Sequence, residues 1–500
     1  MTTSKSSLYG LIYLVISLGL LHYRGQFRYS GILAGDAPSY YYFNFAWPDG
    51  LLGSFRNFVY PVFIKVLIQL KFPFEMLPIL QCSLYLIAIW LVFQELRKRF
   101  PFIILVPFLI TASQGPHIGY FSDIQNEALS MVFWLLGFYL MLRKDRFPDK
   151  RFLYVISGTL FGISIIERSA YLGPTLIILL FAVLLGSNSK FSLSDFKSKI
   201  LIGFSIVVVL LAFILLKQIT IGKPSISNYS GALLVGHAAL LDSKNELQTL
   251  EIADSRGKIW VEKARIHLDE PCKELRKYNM AWNKLKESYS LQNQCFLPIM
   301  MATWNQAIFE TTGNLPLKES EPIEKQIQAW KYTWPNSNSL SLSKYHSENW
   351  SLYIDGELLR YSLKVIYQNW PQYLVWLASG TLFDFFHYLS WPELITRHLS
   401  ISFIQSLSLA VIWSLYFTYF LFKRKQSNRA QVLSAHKKFL LLSIPIIFMI
   451  SIYASILPVL YSVARYVVIW FPILFFMVPI TSYLIFRDFL HTKYQKTNRN

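Results

Sequence analysis

Apolar runs of about the length that crosses a bilayer recur along this chain. A spanning α-helix needs roughly 20 mainly apolar residues. Runs approaching that length lie at residues 8–23, 76–94, 102–118, 126–142, 152–166, 169–186, 200–216, 399–422, 439–463 and 466–486. Hydrophobic residues make up 53% of the chain and charged residues only 15%. The sequence therefore predicts an all-α polytopic membrane protein and excludes a disordered or ordinary cytosolic chain.

The basic residues behind the net charge of +19 lie mainly in short loops between these runs. The one long polar segment, residues 220–398, holds equal numbers of basic and acidic residues. The excess lies at 97–99, 143–151, 190–199, 423–438 and 487–499. Short positive loops stay on the cytoplasmic side of a membrane. The charge thus reports topology, and we expect no nucleic-acid partner.

Two apolar stretches are too long for one span each. Residues 152–186 have a positive loop at both ends and would form a helix of about 52 Å, against a hydrocarbon core of about 30 Å. This predicts a hairpin that turns near Glu167, Arg168 and Gly173. The same reasoning makes residues 102–142 a hairpin. Applied throughout, it gives about ten spans with both termini cytoplasmic.

The predicted topology divides the chain into three parts. They are a membrane module at 1–219 with a first outer loop at 24–75, a large outer loop at 220–398 with an interfacial amphipathic helix at 361–391, and C-terminal membrane helices with a cytoplasmic tail at 399–500. The first run has no small-residue cleavage site and is followed by Arg24. We therefore interpret it as a retained span, with a signal peptide as the alternative.

The three cysteines occur in two settings. Cys82 lies within an apolar run and is most simply a small buried side chain. Cys272 and Cys295 lie in the large outer loop, where an oxidising compartment favours a disulfide over a metal site, because no histidine cluster is nearby. The sequence has no Walker A, GxGxxG, HExxH or CxxC motif. ATP-driven and zinc-protease functions therefore lose their main support.

Charged residues occur at the predicted outer ends of spans or in the first outer loop. They are Arg24, Arg28, Arg56, Arg168 and Arg465, with Asp36, Asp123, Glu127 and Glu167. Ionisable groups at membrane depth are costly, so charges that several spans bring to one level suggest a functional site. The alternative is that the arginines bind lipid headgroups and that Glu167 and Arg168 neutralise each other.

Aromatic residues near these charges also allow two interpretations. Tyr40 and the two tyrosines after it form either an interfacial aromatic belt or a surface that contacts a sugar. His117 is either an ordinary interface histidine or part of the same site. Asp36, in a short turn without an adjacent base, has no such simple structural explanation.

A series of short motifs carries a family resemblance. The motifs are Gly35-Asp36 with the following tyrosines, Arg56 through Tyr60-Pro61, Ser122-Asp123 with Asn126-Glu127, Glu167-Arg168-Ser169, and Ala464-Arg465-Tyr466. In order and sidedness they resemble the GT-C glycosyltransferases, membrane enzymes that use polyprenyl-phosphate sugars. Protein O-mannosyltransferases and lipid A aminoarabinose transferases are relatives. The likeness does not extend to residues 220–360, and Asp36 lacks the acidic neighbour that many relatives have.

The resemblance implies transfer of a sugar from polyprenyl phosphate to an acceptor hydroxyl at the outer interface. Asp36 would be the general base, with Asp123 and Glu127 as further catalytic carboxylates. Arg168, Arg465 and Arg56 would bind the donor phosphate, and Tyr40, His117 and Tyr466 the acceptor or sugar. No cofactor is required and no metal ligands are assigned, but the use of a divalent cation stays open. The implied location is the bacterial inner membrane, with the large loop outside and a glycan, lipid or protein as acceptor.

Other functions fit a many-spanned protein with a large outer loop. One is a polysaccharide polymerase or ligase, in which arginines would bind a lipid diphosphate. Another is a transporter or flippase of a lipid-linked sugar, although the sequence has neither the internal repeat nor the paired broken helices of many transporters. An accessory subunit without activity is a further alternative.

Overall fold

The structure is a computed structural model that describes much of the N-terminal half of the chain and parts of the remainder. The described residues are 3–27, 29, 37–41, 43, 45–53, 56–98, 100–114, 118, 121, 124–144, 151–186, 193–222, 224–226, 234, 238, 241, 350–374, 470, 473, 477, 480, 481 and 483. The elements among them are helical and include no β-strand. The predicted all-α class is confirmed for this part of the chain.

The helices follow the apolar runs closely in the first half of the chain. In chain order they are α1 (Thr3–Tyr23), α2 (Ala37–Tyr41), α3 (Asp49–Gly53), α4 (Val59–Gln69), α5 (Leu77–Arg97), α6 (Phe102–Gln114), α7 (Glu127–Lys144), α8 (Phe152–Glu167), α9 (Leu172–Gly186), α10 (Leu193–Ile221) and α11 (Trp350–Gln368). Short 3-10 turns at Phe74–Met76 and Ser169–Tyr171 lead into α5 and α9. Pro78 lies in the first turn of α5, where its missing N–H leaves no helical hydrogen bond unmade.

α7 and α8 pack side by side and run in opposite directions. The hydroxyl of Ser164 donates to the carbonyl of Ser130 at 2.9 Å, and that of Ser157 donates to the carbonyl of Gly137 at 2.7 Å. The residue numbers of these partners increase along α7 while they decrease along α8, so the two helices are antiparallel. Small side chains that bond to a neighbouring backbone let two helices approach closely.

The predicted helix break at the end of α8 is confirmed. Arg168 is extended, with φ −143° and ψ 105°, between the end of α8 and the 3-10 turn before α9. The indole N–H of Trp134 donates to the hydroxyl of Thr175 at 3.0 Å, which places the first turns of α9 beside α7. α6 and α7 are also separate helices, as the sequence predicted for residues 102–142.

α8 also packs closely against α10, at two glycines of α8. A Cβ atom built on Gly158 would lie 2.5 Å from the carbonyl oxygen of Ile202, and one on Gly162 would lie 2.8 Å from a methyl carbon of Val209. Real Cβ atoms do not approach that closely. The two glycines therefore set the distance between α8 and α10.

α1 is part of the same helical bundle. The ring of Tyr13 stacks on that of Trp90 in α5, with centroids 5.0 Å apart, and its hydroxyl lies 2.6 Å from the Ser113 hydroxyl in α6. Leu21 is fully buried in the main core. α1 therefore contributes side chains to the main core.

The main core contains an aromatic cluster at the turn between α8 and α9. Trp134 and Trp470 pack edge to face at 5.1 Å, and Tyr171 packs against Trp470 at 4.7 Å. At the opposite end of the bundle, Tyr483 lies 6.3 Å from Phe100. The described residues of the last apolar run therefore extend from the hairpin turn towards the start of α6.

The first loop contains short helices that pack on one apolar cluster. Ala37 and Tyr40 of α2, Tyr60 of α4 and Leu77 at the start of α5 are buried together with Ile124. The sequence predicted this segment only as an aromatic loop. The structure gives it a small core that fixes its position against the start of α7.

Two helical stretches among the described residues are long and apolar enough to cross a bilayer, Phe74–Arg97 and Ile200–Ile221. Cys82 in the first of them is buried, as predicted. α11 begins at Trp350, ahead of the interfacial helix expected at 361–391. The possible pair Cys272 and Cys295 lies outside the described residues. So do the two apolar runs at 399–422 and 439–463.

Candidate functional site

Charged and polar residues from three parts of the chain meet at one end of the helix bundle. They come from the segment after α3, from the start of α7 and from the turn between α8 and α9. We call Arg56, Tyr60, Asn126, Glu127, Glu167 and Arg168 the polar cluster. The antiparallel packing of α7 on α8 brings the first residue of one helix beside the last residue of the other.

Glu127 and Arg168 form a buried ion pair. The guanidinium Nη1 of Arg168 lies 2.7 Å from the carboxylate Oε1 of Glu127, and the two side chains are 9% and 2% exposed. Glu127 is also the first residue of α7, where the helix dipole favours a negative charge. Arg168 reaches it because the break after α8 turns this residue away from the helix axis.

Glu167 has different partners from its neighbour Arg168. Its carboxylate accepts hydrogen bonds from the backbone N–H of Tyr60 and from the amide of Asn126, both at 3.3 Å. The same Asn126 amide donates to the Glu167 carbonyl at 3.0 Å. The guanidiniums of Arg56 and Arg168 both attract this carboxylate electrostatically. Glu167 and Arg168 therefore do more than neutralise each other at a turn.

Arg56 is partly buried and contacts α2. Its Nε donates to the hydroxyl of Ser39 at 3.0 Å, and its guanidinium carbon lies 4.5 Å from the centre of the Tyr40 ring. Cations are attracted to an aromatic face at this distance. Tyr40 is only 1% exposed and packs edge to face on Tyr60 at 5.0 Å. Tyr40 therefore supports the Arg56 guanidinium, and contact of Tyr40 with a sugar stays a prediction.

Tyr60 links the cluster to α5. Its hydroxyl donates to the side-chain oxygen of Gln81 at 3.0 Å, and the Gln81 amide donates to the Phe121 carbonyl at 2.9 Å. Burial raises the pKa of Tyr60 well above its usual value, and Tyr40 and Glu127 raise it further. The phenol is therefore a neutral hydrogen-bond donor that ties the first loop to the bundle.

The structure brings together part of the predicted site. Arg56, Glu127 and Arg168 lie in the polar cluster with Tyr40 beside them. Arg24, in contrast, is exposed after α1, as expected for an arginine that binds headgroups. Five predicted site residues lie outside the described residues: Asp36, His117, Asp123, Arg465 and Tyr466.

Several residues of this region were not predicted as site residues. Asn126, Tyr60 and Gln81 make the hydrogen bonds described above, and the Asn57 amide donates to the carbonyl of Ile166. Lys217 of α10 is fully buried, with its amine 5.3 Å from the centre of the Phe213 ring. The available signal for it was a lysine directly after the apolar run of α10.

The carboxylates of the cluster do not form an evident metal site. Among the described residues, no group of three or more His, Cys, Asp or Glu side chains is placed to hold a metal ion. Glu127 is paired with Arg168, and Glu167 accepts hydrogen bonds from Asn126 and Tyr60. The two carboxylates are instead placed to orient the guanidiniums of Arg168 and Arg56.

Comparison with known proteins gives no match to a protein-family model, to a curated protein or to a solved structure. The resemblance to the GT-C glycosyltransferases therefore rests on the motifs of the sequence. Function has to be argued from the chemistry of the polar cluster.

Proposed function

We propose that this chain is an integral-membrane glycosyltransferase of about ten spans. It moves a sugar from a polyprenyl-phosphate carrier to an acceptor hydroxyl at the outer membrane-water interface. The observation that supports this most is the buried polar cluster, in which arginines from the first loop and from the hairpin turn lie beside two carboxylates.

The cost of such a cluster supports a functional role. Burying an ion pair removes two charges from water, and an apolar pair of similar volume often gives a fold as stable or more stable. The helices of the hairpin also contact one another through the serine hydrogen bonds between α7 and α8 and the glycine contacts between α8 and α10. Fixed guanidiniums at this position are useful if a negative charge develops beside them.

Arg168 and Arg56 are assigned to the donor phosphate. When the bond between the sugar and the phosphate breaks, negative charge grows on the phosphate oxygens, and oriented guanidiniums stabilise it. Glu127 acts through Arg168 as a positioning residue. Glu127 already neutralises Arg168, so we propose that Arg465 supplies a further cation for the bound phosphate. Trp470, five residues later, packs beside Tyr171 at the hairpin turn, which supports this assignment.

Asp36 is assigned as the general base. The acceptor oxygen forms a bond to the anomeric carbon, the bond from that carbon to the phosphate oxygen breaks, and the acceptor proton passes to Asp36. Ala37 and Ile124, which follow Asp36 and Asp123 in the sequence, are buried in one cluster with Tyr40 and Tyr60. Asp123 is then available to orient the acceptor, with His117 and Tyr466 as contacts to the acceptor or sugar.

The test is transfer by purified protein offered a panel of polyprenyl-phosphate sugars and acceptors. Asp36→Asn keeps size and hydrogen-bonding capacity but removes the basic oxygen, so it should reduce transfer by about 100-fold to 10,000-fold. Arg168→Lys and Arg465→Lys keep the charge but lose the planar fork, and should weaken donor binding as well as rate. Arg24→Lys, at an exposed position, should be fully active.

The possible results separate the parts of the proposal. Full activity of Asp36→Asn with loss of activity in Asp123→Asn would reassign the base and keep the site. Full activity of both Asp36→Asn and Asp123→Asn with a verified donor and acceptor would refute the acid-base mechanism. Donor movement across vesicles without any transfer would favour a flippase.

A further inference from the structure

A groove lies between α1, α5 and α7 at the end of the bundle away from the polar cluster. Its cavity has a volume of about 540 Å³, within the roughly 300–1,000 Å³ typical of small-molecule sites. None of the polar cluster residues lines it. It is therefore a separate site with its own chemistry.

The inner part of the groove is apolar and partly aromatic. Tyr13 and Trp90 stack with their planes 21° apart and form a flat wall. Gly10 leaves room for this wall, since a Cβ there would lie 2.6 Å from the indole nitrogen of Trp90. Ile87 also lines the groove and is 45% exposed. A surface of this kind suits an extended hydrocarbon chain.

The mouth of the groove is basic. Lys98 forms an ion pair with the buried Glu95, and the Lys98 side chain is 41% exposed. Arg143 donates to the hydroxyl of Tyr139 at 2.8 Å on the facing helix α7. These two cations against one carboxylate leave a positive balance at the mouth.

We propose that this groove binds an anionic phospholipid, an inference that rests on the membrane setting proposed above. One acyl chain lies on the apolar wall and the phosphate lies between Lys98 and Arg143. Basic residues where apolar helices end are suited to anionic lipid headgroups on the cytoplasmic side of a membrane. The net charge of the mouth selects an anionic over a zwitterionic lipid.

The test compares phosphatidylglycerol with phosphatidylcholine of identical acyl chains. Full-length protein in a neutral detergent receives equal amounts of both, and native mass spectrometry counts the lipids that remain bound. Wild-type protein should retain one phosphatidylglycerol in preference. In Lys98→Gln with Arg143→Gln, the preference should fall about fivefold for each cation removed.

Two further variants distinguish the groove from the surface charge in general. Arg97→Gln with Arg151→Gln removes the same charge from exposed positions outside the groove and should keep the preference. Ile87→Trp fills the groove without changing charge and should reduce binding of both lipids. Equal retention of both lipids by wild-type protein would overturn the proposal, and so would equal loss of preference in the two double variants. Because the readout is bound lipid, it stands apart from the transfer assay.

Discussion

The acidic residues Glu127 and Glu95 are both buried, but their basic partners differ in access to water. Arg168, beside Glu127, is 9% exposed, whereas Lys98, beside Glu95, is 41% exposed. A partner with access to water regains hydration when its ion pair is broken, and a buried partner does not. The two pairs should therefore respond very differently to loss of the carboxylate.

We predict that Glu127→Gln lowers the free energy of unfolding by about 3 kcal/mol or more, since it leaves the Arg168 charge buried and uncompensated. Glu95→Gln is the control and should cost about 1 kcal/mol or less. Unfolding in mixed micelles of increasing SDS content measures both. Equal, small losses would mean that water reaches Arg168 in solution. In the double variant Glu127→Gln with Arg168→Gln, part of the stability should return.

Charge placement made several residues of the cluster predictable. Glu127 and Arg168 are charges at the predicted outer ends of spans, and Arg56 is a charge in the first outer loop, so the sequence alone marks all three as unusual. Tyr60 and Gln81 carry no such mark, because a Tyr or Gln near a helix end is ordinary until its partner is known. Their hydrogen bonds link residues far apart in the chain, and only the packed structure brings these together.

At the scale of helices, α8 packs closely on α10 at two glycines. We predict that Gly158→Ala lowers the free energy of unfolding by about 1–3 kcal/mol, because its Cβ would clash with the backbone of Ile202. Gly203→Ala is the matched control on α10, where no atom lies within 4 Å of the added Cβ. That change should be neutral or stabilise by up to about 1 kcal/mol. The same SDS titration measures both, and equal effects would contradict this packing.

The predicted large outer loop carries a prediction of its own. We expect Cys272 and Cys295 to form a disulfide that stabilises this loop by about 3 kcal/mol in the chain-entropy model. Mass spectrometry of non-reduced, alkylated peptides should find the two cysteines linked. Alkylation of both thiols without prior reduction would refute the pairing.

The length and charge of the apolar runs predicted where helices end, but they did not predict the structure of the loops. The break after Glu167 followed from a stretch too long for one span with positive loops at both ends. The sequence did not predict the short helices α2 and α4, because an aromatic segment is equally consistent with an interfacial belt. Their positions depend on burial against Ile124, a contact between distant parts of the chain.

For the whole molecule, the main prediction is the sidedness of the chain. In a background without other cysteines, Arg24→Cys and Ser320→Cys should react with an impermeant thiol reagent added to intact cells, and Arg151→Cys should react only after the cells are opened. The physical reason is that short positive loops resist translocation. Labelling of Ser320→Cys only after opening would place the large loop in the cytoplasm and remove the proposed outer site.

The ion pair of Glu127 and Arg168 also constrains how the protein is made. The ribosome synthesises α7 first, so Glu127 reaches the insertion machinery about forty residues before the arginine that compensates it. In the proposed membrane setting, α7 alone would expose the uncompensated charge of Glu127 to lipid until α8 and Arg168 follow. The two helices are therefore expected to leave the translocon together as one hairpin, with the charges paired before either faces the bilayer. Truncated nascent chains that end before Arg168 should accordingly remain crosslinkable to the translocon.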